Sequence, residues 1–520
     1  MGQTGAYDPT LLTDMDRAVT RILAAIERGE RIAVYGDYDV DGVSATALLV
    51  EVLRCQGGEV VWHIPNRFEE GYGVNNEALE RLAEEGVQLV VTVDCGIRSP
   101  REAQQAIELG MEMIISDHHH PSGELPNAAA VICQKREGDA YPDKDLAGVG
   151  LAYKIAEALF AAHPVEGVSA DDWLDLVALG TVADVVPLRG ENRRLVRGGM
   201  RRMREGRLRQ GLYSLCQVAG IQNLPGLRSF DIGFLLGPRL NAAGRIESAQ
   251  AALQLLLSRD PTEAGELAQL LNRQNIERQQ QTRETVEAAR EMIAEPGQAA
   301  ILFAFSDQFN PGVVGLAAAR LAEAYYRPAV VGTIEGDVAR ASCRSIPEFH
   351  ITRALDECRD LFVRHGGHAA AAGFTVRSER LPELAERLGE IARRELDGRE
   401  LVARLHPDVE VALTDLMPRA DQVLMFMDRL QPTGADNPEP LFMTRNVTMK
   451  YPKKIGVEGK HLRATVAQGN LTVSAVGWNL GEWVDRKLER VDVLYSVELN
   501  TYNGQSNVQL SLRDIRPAES

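Results

Sequence analysis

Asp37, Asp39 and Asp41 stand at alternate positions in Arg31-Ile-Ala-Val-Tyr-Gly-Asp-Tyr-Asp-Val-Asp-Gly42. Three carboxylates so close together raise one another's pKa, a cost that a divalent cation among them removes. An EF-hand loop also begins Asp-x-Asp-x-Asp-Gly, but it needs a bidentate Glu at its twelfth position and a helix in front. Here that position is Leu48, and the preceding Ile32 to Tyr35 reads as a buried strand. The EF-hand is therefore rejected, and a solvated acidic turn is the plain alternative. Other apolar runs also end on Asp or His: Asp94 after Gln88 to Val93, and Asp117, His118 and His119 after Glu112 to Ile115. Asp184 lies in the Gly/Pro-bounded apolar segment Gly180 to Leu188, where a lone carboxylate is costly unless it is paired or bound to metal. Oxygen donors with an imidazole and no well-placed thiolate suit Mn²⁺ or Mg²⁺ better than zinc. The carboxylates outnumber the needs of one small cation. A pair of ions about 3.5–4 Å apart, bridged by one Asp, is the economical reading. Such pairs serve in-line displacement at phosphorus, activating water and stabilising the leaving oxygen.

Strand and helix patterns alternate over the first 190 residues. Apolar strands separated by helices predict a parallel, doubly wound α/β sheet, with ligands at the carboxyl ends of its strands. Residues 1–190 form the expected catalytic domain, followed by a helical connector over 191–298. Within the connector, Pro261 to Glu295 is a long polar helix with Leu267, Leu270, Leu271, Val286, Ala289 and Met292 on one face, a pattern suited to bridging two domains. Residues 299–398 form a smaller α/β domain. In it Asn310-Pro-Gly-Val-Val-Gly315 opens the helix Leu316 to Tyr325, exposing backbone N–H groups that suit an anion. Ser342, Arg344 and the Gly366-Gly367-His368 turn add hydroxyl, guanidinium and imidazole, which together fit a terminal phosphate. From 405 to 520 short runs alternate in period two between Gly/Asn turns, predicting a β-barrel of the OB type. Lys450, Lys453, Lys454, Lys460, His461 and Arg463, with Tyr451 and Trp478, offer that barrel charge and stacking for a single strand.

The 520 residues are too many for one core, and 45% hydrophobic with 25% charged residues is ordinary globular composition. Six scattered cysteines without a CxxC argue against a zinc ribbon or disulfide framework and for a reducing compartment. The N-terminus has neither a basic region nor an apolar core typical of a signal peptide, and no apolar run is long enough to span a bilayer, so the cytoplasm is expected. A net charge of −17 argues mildly against nucleic acid. Against that stands the window 189–209, which holds nine arginines and only Glu191 and Glu205 as acids. It reads either as a solvated helical face or as a phosphate-tracking patch.

Asp37-Tyr-Asp-Val-Asp-Gly42, Val93-Asp94-Cys-Gly96, Asp117-His118-His119 and Gly180-Thr-x-Ala-Asp184-x-x-Pro187-Leu resemble the four motifs of the DHH phosphoesterase superfamily. Arg239-Leu-Asn241-Ala-Ala-Gly244-Arg245, Pro311 to Gly315, Ser342-Cys-Arg344-Ser345 and Gly366-Gly367-His368 to Gly373 resemble the DHHA1 half of the RecJ family. Leu430 to Gly434, Asn437 to Pro440, His461-Leu462 and Gln509-Leu510 resemble that family's C-terminal region. The resemblance covers nearly the whole chain. It implies a DHH domain, a long connecting helix, a DHHA1 domain and an OB-fold. It also implies a two-metal, Mn²⁺- or Mg²⁺-dependent exonuclease acting 5′→3′ on single-stranded DNA in repair and recombination. The metal ligands it implies are Asp39, Asp41, Asp94, His118 and Asp184, with Asp37 beside them, Asp94 bridging, and His119 facing the scissile phosphate. Arg67 would hook the substrate backbone, and Arg239, Asn241, Arg245, Ser342, Arg344, Gly366, Gly367 and His368 would bind phosphate or DNA. Implied partners are single-strand-binding protein and a recombination helicase, with the chain a monomer. The chain departs from the family pattern at Tyr35, where many relatives carry His, and at Phe309-Asn310, where many carry Trp-His. Relatives usually carry an extra segment before the first strand, and weaker DNA binding is expected without it. Two rival functions are a phosphoesterase for short oligonucleotides or cyclic dinucleotides, and a metal-free replication scaffold.

Overall fold

The computed structural model describes residues 6–66, 70, 73–293, 295, 297–502 and 505–518. The first domain is built on a five-stranded parallel sheet of β1 (Arg31–Tyr35), β2 (Glu59–His63), β3 (Val87–Val93), β4 (Glu112–Ser116) and β5 (Ala130–Ile132). The strand order is β2-β1-β3-β4-β5. Alternate residues of each strand feed opposite cores. Ile32, Val34, Val91 and Val93 pack under α1 (Met15–Glu27) and α2 (Val40–Cys55), whereas Ala33, Tyr35, Val90 and Ile115 pack under α3 (Asn76–Glu84) and α4 (Pro100–Glu108). Helix α2 has no polar face because it is enclosed all round, lying against α5 (Gly148–Ala162) and α6 (Leu174–Ala183) as well as the sheet.

The connector continues through α7 (Gly190–Arg204), α8 (Gln210–Val218), a π-helical turn Asp231–Leu236, α9 (Gly237–Ile246), α10 (Gln250–Leu257) and α11 (Pro261–Met292). Helix α11 packs on α8 and α9 near its start and on the second domain near its end, as expected of a bridge. Its contact face includes most of the one expected: Leu271 and Ala289 are buried and Leu267 and Val286 pack on the flanking cores, but Met292 is exposed, and Ala264, Ala268, Gln274, Asn275, Thr282 and Thr285 widen the stripe. Small and polar side chains let the neighbouring helices approach where large apolar ones would hold them off.

The second domain is a mixed sheet in the order β6-β7-β8-β10-β9, from β6 (Leu302–Ser306), β7 (Ala329–Glu335), β8 (Val338–Arg344), β9 (Phe362–Gly367) and β10 (Ala371–Arg377). Helix α12 (Val314–Tyr325) covers one face, and α13 (Ile351–Asp356) and α14 (Leu381–Leu396) cover the other. Gly366 and Gly367 are not in a turn but end the edge strand β9. The last domain opens with β11 (Val409–Glu410), α15 (Leu413–Leu416) and α16 (Ala420–Leu430), helices that period-two reading does not reveal. Strands β12 (Phe442–Ile455), β13 (His461–Gln468), β14 (Leu471–Gly477), β15 (Arg490–Tyr502) and β16 (Gln505–Pro517) then form a barrel, closed by the β12–β15 pairing. Within that barrel the β14–β16 pair is parallel, unlike its antiparallel neighbours.

Candidate metal centre and nucleic-acid path

Three strand ends and one helix end deliver acids and imidazoles to one place. Asp37, Asp39 and Asp41 follow β1, Asp94 follows β3, His118 and His119 follow β4, and Asp184 follows α6. Strand order reverses between β1 and β3, the point at which open α/β sheets bind ligands. Three overlapping sets of donor atoms each lie within 4.8 Å: Asp37, Asp39 and Asp94; Asp41, His118 and Asp184; and Asp94, His118 and His119. Asp94 and His118 each belong to two sets.

Backbone groups hold these side chains in place. Asp39 caps α2, its Oδ1 accepting from the amides of Asp41 at 2.9 Å and Gly42 at 3.1 Å. Asp41 is pinned by the start of α5: Gly148 N–H donates to its Oδ2 at 2.7 Å and Val149 N–H to its Oδ1 at 2.9 Å. Two positions must be glycine because the carboxyl side chains press against them. A Cβ at Gly148 would lie 2.7 Å from Asp94 Oδ1, and one at Gly180 2.8 Å from Asp41 Oδ1. Asp94 itself has φ 62°, and Val185, directly after Asp184, has φ 63°. For a β-branched residue that conformation is strained, and such strain concentrates at functional sites.

His118 Nε2 lies 3.0 Å from Asp94 Oδ1, 3.7 Å from Asp184 Oδ2 and 3.9 Å from Asp41 Oδ2. Yet Nε2 and Asp94 Oδ1 are both buried without a hydrogen-bond partner. Burial drives the His118 pKa down to about 3, so the imidazole is neutral and has a lone pair to offer. Burial, then the charge of Asp39, pushes Asp41 up to about 7; burial, then Asp41, pushes Asp184 up to about 9. Asp94 is raised well above the usual carboxylate range by burial and then by Asp41. Orphaned donor atoms among carboxyls that resist ionising are a donor set short of positive charge. Oxygen and imidazole donors fit a hard divalent cation such as Mn²⁺ or Mg²⁺. Cys95 adds no thiolate, because burial raises its pKa and its Sγ faces the Tyr35 carbonyl at 3.8 Å.

Several neighbours have roles that the sequence alone did not specify. Asp117 Oδ1 accepts from His119 Nδ1 at 2.7 Å while its Oδ2 accepts from Ile97 N–H at 2.9 Å, so Asp117 orients the His119 ring. Burial raises the Asp117 pKa, but the bonds from His119 outweigh it and the net shift is downward. Lys135, just beyond β5, is near enough to oppose the raised pKa of Asp184. Its signal was its place after a strand end. Tyr35, noted above as a departure from the family pattern, belongs to none of the three donor sets. Its hydroxyl donates to Gly73 O at 3.1 Å and accepts from Asn75 Nδ2 at 3.0 Å, so it braces the segment after β2. Arg67 lies outside the described residues.

Of the remaining expected DNA-binding residues, Ser342 and Arg344 meet the start of α12. A Cβ at Gly315 would lie 3.3 Å from Ser342 Oγ and 3.4 Å from Arg344 Nη2. Gly366 and Gly367 sit two strands further out, beyond β10 with which they pair, and the His368 carbonyl accepts from Thr352 Oγ1. His120, after the DHH triplet, has its pKa lowered by partial burial, then by the charges of Lys135 and His368. Asn241 Oδ1 accepts from Val40 N–H at 3.2 Å, and Arg245 Nη1 donates to Gly312 O at 3.4 Å, so both bind protein. Arg239 Nε donates to Asn272 Oδ1 at 3.0 Å. Burial lowers the Arg278 pKa, and the nearby Arg320 and Arg239 lower it further, making a cationic wall from α9, α11 and α12.

Most of the arginine window is bound to protein, while Arg197 and Arg201 remain on an exposed helical face. Arg189 pairs with Asp145 and Asp436, Arg202 with Asp172, Arg204 with Asp428, and Arg209 with Asp175 and Glu51. Arg193 donates to the carbonyls of Pro432 and Arg429. These guanidinium groups fasten the connector to the domains on either side. Phenylalanines absent from the expected path also stand out. Phe230 and Phe234 stack 4.6 Å apart at 18°, 59% and 67% exposed, on the π-helical turn.

Residues 31–181 match the model of the DHH family N-terminal domain, 297–394 that of the DHHA1 domain and 408–514 that of the RecJ OB domain. The chain is 38% identical to the single-stranded-DNA-specific exonuclease RecJ of Bacillus subtilis over 99% of its own length, spanning 64% of that relative. It is 34% identical to the protein of the same name from Dickeya dadantii, over 99% of this chain and 92% of the relative. The crystal structure of RecJ with Mn²⁺ from Thermus thermophilus superposes with a TM-score of 0.84 at 30% identity, covering 99% of this chain and 74% of that one.

Proposed function

The chain belongs to the RecJ family, and from that membership we propose that it is a metal-dependent exonuclease removing nucleotides from the 5′ end of single-stranded DNA. The observation that carries this reading is the convergence of two donor sets on Asp94, with buried Asp94 and His118 atoms left without hydrogen-bond partners. Bound there, two Mn²⁺ or Mg²⁺ ions would activate water and neutralise charge on the scissile phosphate. In this reading Asp39, Asp41, Asp94, His118 and Asp184 hold the ions, with Asp37 beside them and Asp94 shared. His119, its ring set by Asp117, faces the scissile phosphate and donates to it.

Gly315 at the start of α12, with Ser342 and Arg344, takes the terminal phosphate, combining helix-end amides with a guanidinium. Gly366, Gly367 and His368, on the far side of β10, complete this anchor, and the family resemblance assigns Arg67 the grip on the substrate backbone. An anchor at one fixed distance from the metals imposes direction. Arg239, Arg278 and Arg320 line the way with positive charge in an otherwise acidic molecule. The barrel presents Tyr451, 83% exposed, and Trp478, 57% exposed, with exposed Lys450 and Lys453, a surface for stacking and phosphate contact. Single-strand-binding protein and a helicase are the partners that would present such a substrate during repair and recombination. We place the enzyme in the cytoplasm as a monomer; no described helix is long and apolar enough to cross a membrane.

The test is a long DNA labelled at its 3′ end, single- or double-stranded, incubated with Mn²⁺, Mg²⁺ or EDTA. Metal-dependent shortening of only the single strand, from its 5′ end, is expected. Inertness toward that strand with cleavage of dinucleotides would move the function to small substrates.

A further inference from the structure

The end of α9 touches both halves of the site. At one end Asn241 Oδ1 accepts from Val40 N–H at 3.2 Å, inside the Asp39–Asp41 turn. One turn on, Gly244 lies against the same turn, where a Cβ would be 3.1 Å from the Tyr38 carbonyl oxygen. At the other end the Arg245 carbonyl oxygen meets Gly312 so closely that a Cβ there would stand 2.2 Å from it. Arg245 Nη1 also donates to the Gly312 carbonyl. Gly312 in turn is held by Asn310, whose Oδ1 accepts its N–H at 2.7 Å and whose Nδ2 donates to Gln281 Oε1 of α11 at 2.9 Å. Two residues later α12 begins, carrying Gly315 against Ser342 and Arg344.

We propose that Asn241 to Arg245 is a rigid spacer that sets the distance between the metal centre and the terminal-phosphate anchor. It thereby fixes how long a fragment each cut releases. This rests on the proposed exonuclease reading and adds to it the element that gauges the substrate. The four residue steps from Asn241 to Arg245 advance about 6 Å along a helix, the order of one nucleotide's backbone repeat. The contacts at Gly244 and Gly312 are backbone on backbone, so no flexible side chain can absorb a change. Residues 241 to 245 and 310 to 312 act through the metals and the anchor and are positioning residues.

The experiment compares Gly312→Ala and Asn310→Ala with the parent protein, and uses Gly265→Ala as control because nothing lies within 4 Å of a Cβ there. Three quantities are read: the length of the first fragment released from 5′-phosphate-labelled single-stranded DNA, the ratio of kcat/KM for 5′-phosphorylated over 5′-hydroxyl ends, and Mn²⁺ affinity by calorimetry. The spacer predicts mixed fragment lengths and a phosphate preference reduced about tenfold in both variants, since misplacement of about 1 Å is enough for such losses. Mn²⁺ affinity stays within about twofold of the parent, because the ligands are untouched and their supporting bonds are intact, and the control behaves as the parent does. Parental fragment length and preference in a folded Gly312→Ala protein would overturn the proposal. Should that variant fail to fold, Asn310→Ala decides on the same criteria. A parent that cuts single strands but ignores the 5′ phosphate removes the anchor and the spacer and leaves the exonuclease. A parent that does not cut single strands removes the exonuclease reading itself.

Discussion

Asp94 is where two of the donor sets meet, and in the proposed centre it is the shared ligand. It sits in the left-handed region, its Oδ1 is orphaned, and Gly148 leaves it room. Asp94→Asn should lower hydrolysis by more than about a hundredfold, exceeding what loss of a supporting residue costs, while single-stranded DNA still binds. Turnover near the parental rate would remove the bridging role. The raised carboxyl pKa values make a second prediction, with a definite sign. In the metal-free protein the stabilisation from Asp41 is complete below the unfolded value near 4 and is lost as pH rises through about 7; for Asp184 the loss extends to about 9. Cation binding needs both groups ionised, so it expels protons and tightens as pH rises. Mn²⁺ should therefore raise the melting temperature more near pH 8 than near pH 6. Equal shifts at the two pH values would mean these carboxyls are not ligands.

The strands and helices were largely readable because each has a plain physical signature. Apolar runs ending on Asp or His marked β1, β3 and β4, and the order of the strands then placed those ends together. The partners that hold the candidate ligands were not readable, since they come from distant amides such as Gly148 and Val149. Nor was the purpose of the arginine window, because its carboxylate partners lie elsewhere in the chain. The π-helical turn escaped for a different reason: periodicity does not show an extra residue in a helical turn. That turn packs Gly233 against Val182 of α6, while the preceding Ser229 donates to the Thr433 carbonyl at 2.6 Å. The turn carrying Phe230 and Phe234 is thus held between the segment that leads into the barrel and the helix that leads into Asp184. Phe234→Ala should weaken binding of a long single strand by about 1–3 kcal/mol, the worth of one stacked base, measured by fluorescence anisotropy. Unchanged affinity would make the exposed ring incidental.

Taken whole, the molecule carries −17 charges and yet is read as gripping a polyanion. Many of its acids pair with arginines or gather at the candidate metal centre, while Arg239, Arg278 and Arg320 lie near one another and Lys450 and Lys453 stand exposed on the barrel. The barrel does not hang free. Leu188 N–H donates to Ala435 O at 2.8 Å, and Gly434 abuts Leu188, so its base is bolted to the segment just after Asp184. Replacing Lys450 and Lys453 with Ala should weaken DNA binding and flatten its dependence on salt, by about one unit of log–log slope for each phosphate no longer engaged. An unaltered slope would mean the strand does not run over that face. The most direct measurement is the anomalous difference map of crystals grown with Mn²⁺. Two peaks about 3.5–4 Å apart between the ends of β1 and β3, both within bonding distance of Asp94, are predicted. A single peak, or a pair not shared by Asp94, would contradict the two-ion centre on which the proposed hydrolysis rests.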